Sequence, residues 1–196
     1  MIMIDPSVLI GFMPWIVFAI ASSLFGLKIG VLIGLALQIA IFIPAYKRRN
    51  YTILEAKSLI FFAILAIAIL CLDQQSIDNL TRWSASLSYG GLAIITWATI
   101  AIGNPFTMQY AKRITPEAYW NSELFLSSNR SIAVGWATAF LGAAVISVIG
   151  ALWGLKFLLI HGLAWGCLVL AIIWHKRVMD DTTAKAKAPV RTQMII

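Results

Sequence analysis

The chain has 196 residues, of which 61% are hydrophobic and 12% charged, and its mean hydropathy is +0.88. Soluble domains carry about 45–50% apolar and about 25% charged residues, so this composition excludes a protein whose whole surface faces water. The net charge of +7 lies in a few connections and in the C-terminal segment, which indicates orientation in a membrane and argues against a nucleic-acid partner.

Six apolar stretches follow one another along the chain, and each can cross a bilayer, the third with help from its flanks. A helix rises about 1.5 Å per residue, and the hydrocarbon core is about 30 Å thick. Spanning segments must be helices or closed barrels, and runs of this length favour helices. The sequence predicts an all-α, polytopic integral membrane protein with helices at about 8–25, 29–46, 58–72, 84–102, 131–152 and 157–174.

Basic residues predict the orientation of these spans. Cytoplasmic connections carry an excess of Lys and Arg, and in a six-span chain one side receives 12 of the 15. Both ends of the chain share that side only if the number of spans is even. We therefore expect six spans with both termini in the cytoplasm. The remaining three basic residues, on the outer side, are Lys28, Arg82 and Lys156.

The predicted spans form a single transmembrane domain, residues 1–177, followed by a cytoplasmic tail at 178–196. The tail shows no helical periodicity, so we expect it to be flexible. The turn that precedes the third span contains Glu55 and Lys57, which we expect to be solvated at the cytoplasmic surface.

The interfacial segment 104–129, between the fourth and fifth spans, is predicted to contain two short amphipathic helices. Asn104-Pro105 and Thr115-Pro116-Glu117 each resemble a cap followed by proline at the first helical position. Aromatic and basic residues mix here, as in a layer along the inner headgroups, and the same surface suits a protein partner or ligand. The candidate contact residues are Asn104, Pro105, Gln109, Tyr110, Lys112, Arg113, Trp120, Asn129 and Arg130.

Glycines recur at four-residue spacing around two of the predicted spans. Small residues at this spacing let helix backbones approach closely in lipid. Packing within the chain and a homodimer seam both fit the pattern. The residues are Gly26, Gly30 and Gly34 at the second span, and Gly162 and Gly166 in the sixth.

Polar side chains are scarce inside the predicted spans. Ionisable groups within a membrane usually mark ion or proton paths, and His161 is the only such group between the span ends. An ion-coupled transporter is therefore disfavoured. The main polar candidates either hydrogen-bond between helices or line a cavity; they include Gln38, Ser84, Ser88 and Thr96.

No pattern typical of catalysis or of cofactor binding is visible. The sequence shows no Gly-rich phosphate loop, metal-ligand cluster, nucleophile elbow or paired-carboxylate site. His161 and His175 are its two histidines. They are separated by about 21 Å along a helix, so they cannot share a metal, and a bis-histidine haem would need further histidines. We expect no metal and no cofactor, and these residues favour a non-enzymatic protein without excluding an enzyme.

Several further residues, spread over positions 10–175, together carry a resemblance to a protein family. They are Leu37-Gln38, the basic Lys47-Arg48-Arg49, Pro105, Gln109, Trp120, Asn129 and the Trp136 to Phe140 stretch. This set resembles the bacterial intracellular septation protein A family. The chain departs from the family pattern at Gly103-Asn104, where the family tends to carry basic residues, and in its longer charged tail. The chain resembles an uncharacterised sister family of small inner-membrane proteins to the same degree.

The resemblance implies a protein of the bacterial inner membrane that contacts the cell envelope or division machinery, and it supplies no catalytic residues. The leading hypothesis is a non-enzymatic membrane protein whose segment 104–129 contacts lipids or protein partners. The alternative is a small carrier, or a membrane enzyme, for a lipid or another apolar molecule. In that alternative Gln38 and the hydroxyls of the fourth span line the cavity.

Overall fold

The computed structural model describes the backbone of residues 6–154 and 157–187, and the side chains of 10–154, 159–160 and 162–187. All regular structure in these ranges is helical, which confirms the all-α prediction. Predictions for residues 188–196 and for Lys156 lie outside the described part of the chain, as does the side chain of His161.

The described ranges contain eight α-helices and one 3-10 turn. Six of the helices correspond to the six predicted stretches; α3 and α7 begin earlier than predicted, and α8 continues beyond the predicted end. In chain order the elements are α1 (Pro6–Phe25), α2 (Leu27–Lys47), α3 (Ile53–Cys71), α4 (Gln74–Arg82), α5 (Ser84–Ala101), α6 (Phe106–Ile114), the turn Glu117–Tyr119, α7 (Glu123–Trp153) and α8 (Phe157–Lys187).

Four of these helices are long and apolar enough to cross a bilayer: α2, α3, α7 and the Gly162–Lys187 part of α8. A fifth span results if α5 and α6, which meet at an angle of 73°, are taken as one broken span. The apolar part of α1 with described side chains, Ile10–Phe25, is shorter. The helices therefore fit a membrane-embedded protein, and six spans remain a prediction.

The centre of the bundle is α7. Helix α8 packs along one side of α7 and α5 along another, while α2 packs between α1 and α3. Small residues let the neighbours of α7 approach closely. Ala133, Ala137 and Ala143 are fully buried, and a Cβ on Gly150 would lie within 3 Å of the Ile160 side chain.

Aromatic side chains join α1 to α3, α6 and α7. The Phe12 ring lies 5.6 Å from that of Trp136 and 5.9 Å from that of Phe106, measured between centroids. Farther along α1, Trp15 donates its indole N–H to Ser58 Oγ on α3 at 2.8 Å. Each aromatic pair contributes about 0.5–1.5 kcal/mol beyond the area that it buries, so α1 is held against three other helices.

The glycines of α2 lie at close helix contacts, as predicted. A Cβ on Gly30 would meet the Ser22 backbone nitrogen at 2.7 Å, and one on Gly34 would meet the Phe62 ring at 2.8 Å. Gly26 instead precedes α2, and its φ of +87° makes the tight turn from α1. The hairpin of α1 and α2 therefore depends on glycine at three positions.

Gly162 and Gly166 do not show the packing predicted within the chain. A Cβ at either position would meet open space. The reason is that α8 contacts its neighbours through a different face, on which Ala164 and Ala171 are buried. A homodimer seam at these two glycines stays a prediction.

Helix α4 was not predicted, because its residues are mostly polar. Asp73 is its N-cap, and the carboxylate accepts a hydrogen bond from the Ser76 N–H at 2.8 Å. Hydrogen bonding from Ser76, through its side chain and then its backbone, lowers the pKa of Asp73 below the usual value. Ile77 is buried and anchors the helix to the bundle. This short amphipathic helix links α3 to α5.

Helix α8 continues where a flexible tail was predicted. Its last ten residues, 178–187, are helical. Val178 and Met179 pack against the hydrophobic core, and Lys185 pairs with Asp181 one turn away at 2.6 Å. Apolar contact and this ion pair together explain why the helix continues.

The two ends of the bundle differ in charge: within the described part of the chain, two basic and two acidic residues lie at one end, whereas ten Lys and Arg and four Asp and Glu lie at the other. At one end, Lys28 donates to the Gln74 side chain at 3.0 Å, and Arg82 donates to the Leu152 carbonyl at 3.4 Å. At the other end, Arg113 of α6 donates to the Asn50 carbonyl, in the turn between α2 and α3, at 2.6 Å. We call this second end the basic end; it comprises residues 47–53, 104–131 and 174–187.

Replacing Gly30 with Ala tests the close contact of α1 and α2. The new methyl group meets the Ser22 backbone, which cannot rotate away, so we expect a loss of about 1–3 kcal/mol. Thermal unfolding in detergent, followed by circular dichroism, measures it.

The matched control is Gly162→Ala, where the methyl group enters open space. Its melting temperature should stay unchanged or rise, since alanine favours helix over glycine. Equal destabilisation by both variants would contradict the described helix contacts.

Candidate functional site at the basic end

Segment 104–129 forms a cap on the basic end. Helix α6 turns one face inward: Phe106 is fully buried, Tyr110 is 2% exposed, and Thr107 and Met108 are also buried. The helix is amphipathic as predicted, but its apolar face is covered by the bundle. Only the opposite face is available for contacts with other molecules.

The start of α6 differs by one residue from the prediction. Pro105 has a ψ of +138° and occupies the N-cap, so the helix begins at Phe106 and Asn104 does not precede a helical proline. Pro116 likewise precedes a single 3-10 turn instead of a second full helix. In both cases the extended ψ of the proline delays the first helical residue.

Two threonines fasten α6 to its neighbours. Thr99 of α5 accepts the backbone N–H of Phe106 at 3.2 Å, although it lies across the bend between the two helices. Thr107 donates to the Asn129 carbonyl of α7 at 2.8 Å. The buried start of α6 therefore has a partner from α5, and its second residue is tied to α7.

Helix α6 also completes the start of α3. The Ile53 N–H donates to Gln109 Oε1 at 2.7 Å. Thr52 and Glu55 form a capping box, in which each side chain accepts the other residue's backbone N–H. Tyr110 OH lies 3.3 Å from Thr52 Oγ1. Several N–H groups at the start of α3 are thus paired inside the protein.

Glu55 is not solvated, contrary to the prediction. It is 4% exposed, because α3 begins beneath α6 and not at the surface. Its backbone carbonyl accepts a hydrogen bond from Gln38 Nε2 at 2.9 Å. Lys57 is exposed, as predicted.

The predicted intramembrane polar residues are buried but separated. Gln38 lies against the start of α3, and its Oε1 has no hydrogen-bond partner. Thr96 donates to backbone carbonyls of its own helix, α5. Ser84 and Ser88 are buried on the same helix. Since α2 and α5 do not pack broadly together, the structure does not assemble these residues into one lining.

Several predicted contact residues have internal roles. Pro105, Gln109 and Tyr110 lie between α6 and the bundle, as described above. Asn129 is 5% exposed and donates to the Phe125 carbonyl of its own helix at 2.8 Å. These residues are buried or partly buried, and Gln109 joins α6 to the start of α3, while the backbone carbonyl of Asn129 joins α7 to α6.

The outward side of the cap carries other residues. Lys112 lies over the Trp120 ring at 5.0 Å, and the Trp120 indole N–H donates to the Thr115 carbonyl at 2.8 Å. Ile114 is 60% exposed and Tyr119 is 58% exposed. We call Lys112, Ile114, Glu117 and Tyr119 the cap face.

A groove runs between α7 and α8, and no sequence pattern predicted it. Its volume is about 820 Å³ and its walls are mostly apolar. Arg130, the last of the predicted contact residues, lines the groove together with Arg177. Gly142 and Cys167 line it farther along the helices.

Comparisons with family models, curated proteins and solved structures found no match to this chain. Among the described residues, no three His, Cys, Asp or Glu side chains come together as metal ligands. The cap face and the groove are therefore interpreted from their own chemistry.

Replacing Gln109 with Met tests its role as the cap of α3. Met keeps the length of the side chain but removes the acceptor of the Ile53 N–H, and an unpaired buried donor costs about 1–3 kcal/mol. We expect a lower melting temperature and faster hydrogen exchange in the first turn of α3.

Gln109→Glu keeps an acceptor oxygen at the same position and serves as the control. It should retain slow exchange at Ile53. If both variants exchange at the wild-type rate, Gln109 does not cap α3.

Proposed function

We propose that the chain is a non-enzymatic protein of the bacterial inner membrane, with six spans and both termini in the cytoplasm. The segregation of Lys and Arg to the basic end supports this orientation, because cytoplasmic connections are enriched in these residues. In this arrangement α1 and α5 cross the membrane together with α2, α3, α7 and α8. The basic end then faces the cytoplasm.

The proposed activity is the binding of a protein of the cell envelope or division machinery through the cap face. One observation carries this proposal: hydrogen bonds tie α6 to α3, α5 and α7, while Ile114 at its end and Tyr119 in the following turn remain more than half exposed. Exposed apolar and aromatic residues on a rigid element lose little conformational entropy on binding. The resemblance to the septation protein A family suggests the class of partner.

A carrier for an apolar molecule is the second candidate, and the groove between α7 and α8 is what favours it. Both arginines of the groove lie at the basic end, whereas Gly142 and Cys167 are found deeper. A carrier must release its cargo on the other side of the membrane. The charged residues that line the groove, however, lie at one end alone. The groove fits retention of a molecule better than transport.

Replacing Ile114 and Tyr119 together with Ser tests partner binding. Loss of two exposed apolar contacts should lower recovery of the partner on the order of ten-fold or more, because a few such residues dominate binding energy. The measurement combines photo-crosslinking from position 117, an exposed cap-face position that neither substitution changes, in native membranes with complementation of a deletion strain.

The matched control replaces Leu152 and Trp153 with Ser, an aliphatic and an aromatic residue that are 59% and 69% exposed at the opposite end. This control should retain both the crosslink and complementation. Crosslinks to lipid alone, or full complementation by the cap-face variant, would refute a protein partner.

A further inference from the structure

The groove between α7 and α8 has the dimensions of a lipid chain in one leaflet. Gly142 lies twelve residues beyond Arg130 on α7, a rise of about 18 Å along the helix. Half of the hydrocarbon core is about 15 Å thick. Its volume of about 820 Å³ is in the range of sites that bind small molecules. Val134, Ala139 and Leu170 are among its apolar walls.

Positive charge is concentrated at one end of this groove. Arg130 and Arg177 line it together with the hydroxyls of Ser127 and Ser131. Among the described residues, no carboxylate lines the groove, and the one ion pair there, Lys185–Asp181, lies farther along α8. The two guanidinium groups therefore lie beside an apolar slot without an ion-pair partner.

Trp174 lies at the polar end of the groove. Its ring lies over Gly135, where a Cβ would approach the indole nitrogen to 3.0 Å. The indole N–H donates to the Ser131 carbonyl at 3.0 Å. Tryptophan is enriched at membrane interfaces, where its ring lies among headgroups. Glycine at position 135 lets the ring lie close to α7 at the polar end of the groove.

We infer that this groove binds one anionic phospholipid, with an acyl chain along α7 and α8 and the phosphate between Arg130 and Arg177. Basic pockets between transmembrane helices bind the headgroups of anionic lipids, and arginine pairs with phosphate through several N–H donors. The site shares no residue with the cap face, so it stands independently of the proposed partner binding.

The test is native mass spectrometry of the full-length protein, released from bilayers of equal phosphatidylglycerol and phosphatidylcholine with identical acyl chains. The wild type should retain one phosphatidylglycerol in preference to phosphatidylcholine. Arg130→Gln with Arg177→Gln should weaken that preference on the order of ten-fold, because each basic residue near the surface strengthens anionic-lipid binding.

Lys47→Gln with Arg48→Gln is the matched control, since it removes two exposed charges from the same end outside the groove. It should retain the wild-type preference. Thr138→Trp tests the apolar part, because Thr138 is exposed in the groove and a large ring there would displace the acyl chain. This variant should lose the bound lipid while keeping its helical circular dichroism.

The inference is overturned if the wild type shows no preference between the two lipids, or if the double arginine variant retains it. A lipid-free dimer that Thr138→Trp dissociates would also overturn it, because a second copy of the chain would then occupy the groove. The cap-face variant should bind phosphatidylglycerol normally, so failure of this inference is distinct from failure of the proposed function.

Discussion

The need to pair buried backbone N–H groups controls the architecture of the basic end. The first turns of α3 and α6 both begin inside the protein, where water is not the partner and an unpaired N–H is costly. Thr52 and Gln109 supply acceptors for α3, and Thr99 supplies one for α6. These bonds cross between α3, α5 and α6, so each helix start depends on a side chain from outside its own helix. The cap and the bundle therefore form one cooperative unit.

This dependence explains why residues with a distinctive pattern in the sequence are not the most accessible ones. Gln109 and Pro105 lie where α6 meets the bundle, and Asn129 is hydrogen-bonded within α7. These internal contacts hold α6 in place, and Ile114 and Tyr119 project outward on the cap face. The groove, in turn, depends on how α7 and α8 lie together beside the cap. Two distinct surfaces, the cap face and the groove, thus share a single end of the molecule.

Hydropathy predicted the apolar helices well, because the length and the composition of a helix are enough to show that it can lie in lipid. It could not predict which face of a helix packs. Gly162 and Gly166 have the favourable spacing but face open space, whereas Gly150, which the prediction did not single out, lies where a Cβ would meet the Ile160 side chain. The buried start of α3 had a local signal in the capping box of Thr52 and Glu55, which hydropathy overlooks. The groove has no local signal, since it arises from the register of two helices.

The equal length of α7 and α8 has a consequence for electrostatics outside the membrane. Each has 31 residues, about 46 Å of helix against about 30 Å of hydrocarbon. Lys187 lies about 15 Å farther along α8 than Arg177, whose guanidinium is proposed to bind the lipid phosphate. The Debye length at physiological ionic strength is about 8 Å, so the last turn of α8 lies outside the surface potential of the lipids. Its charges respond to neighbouring macromolecules in the aqueous phase.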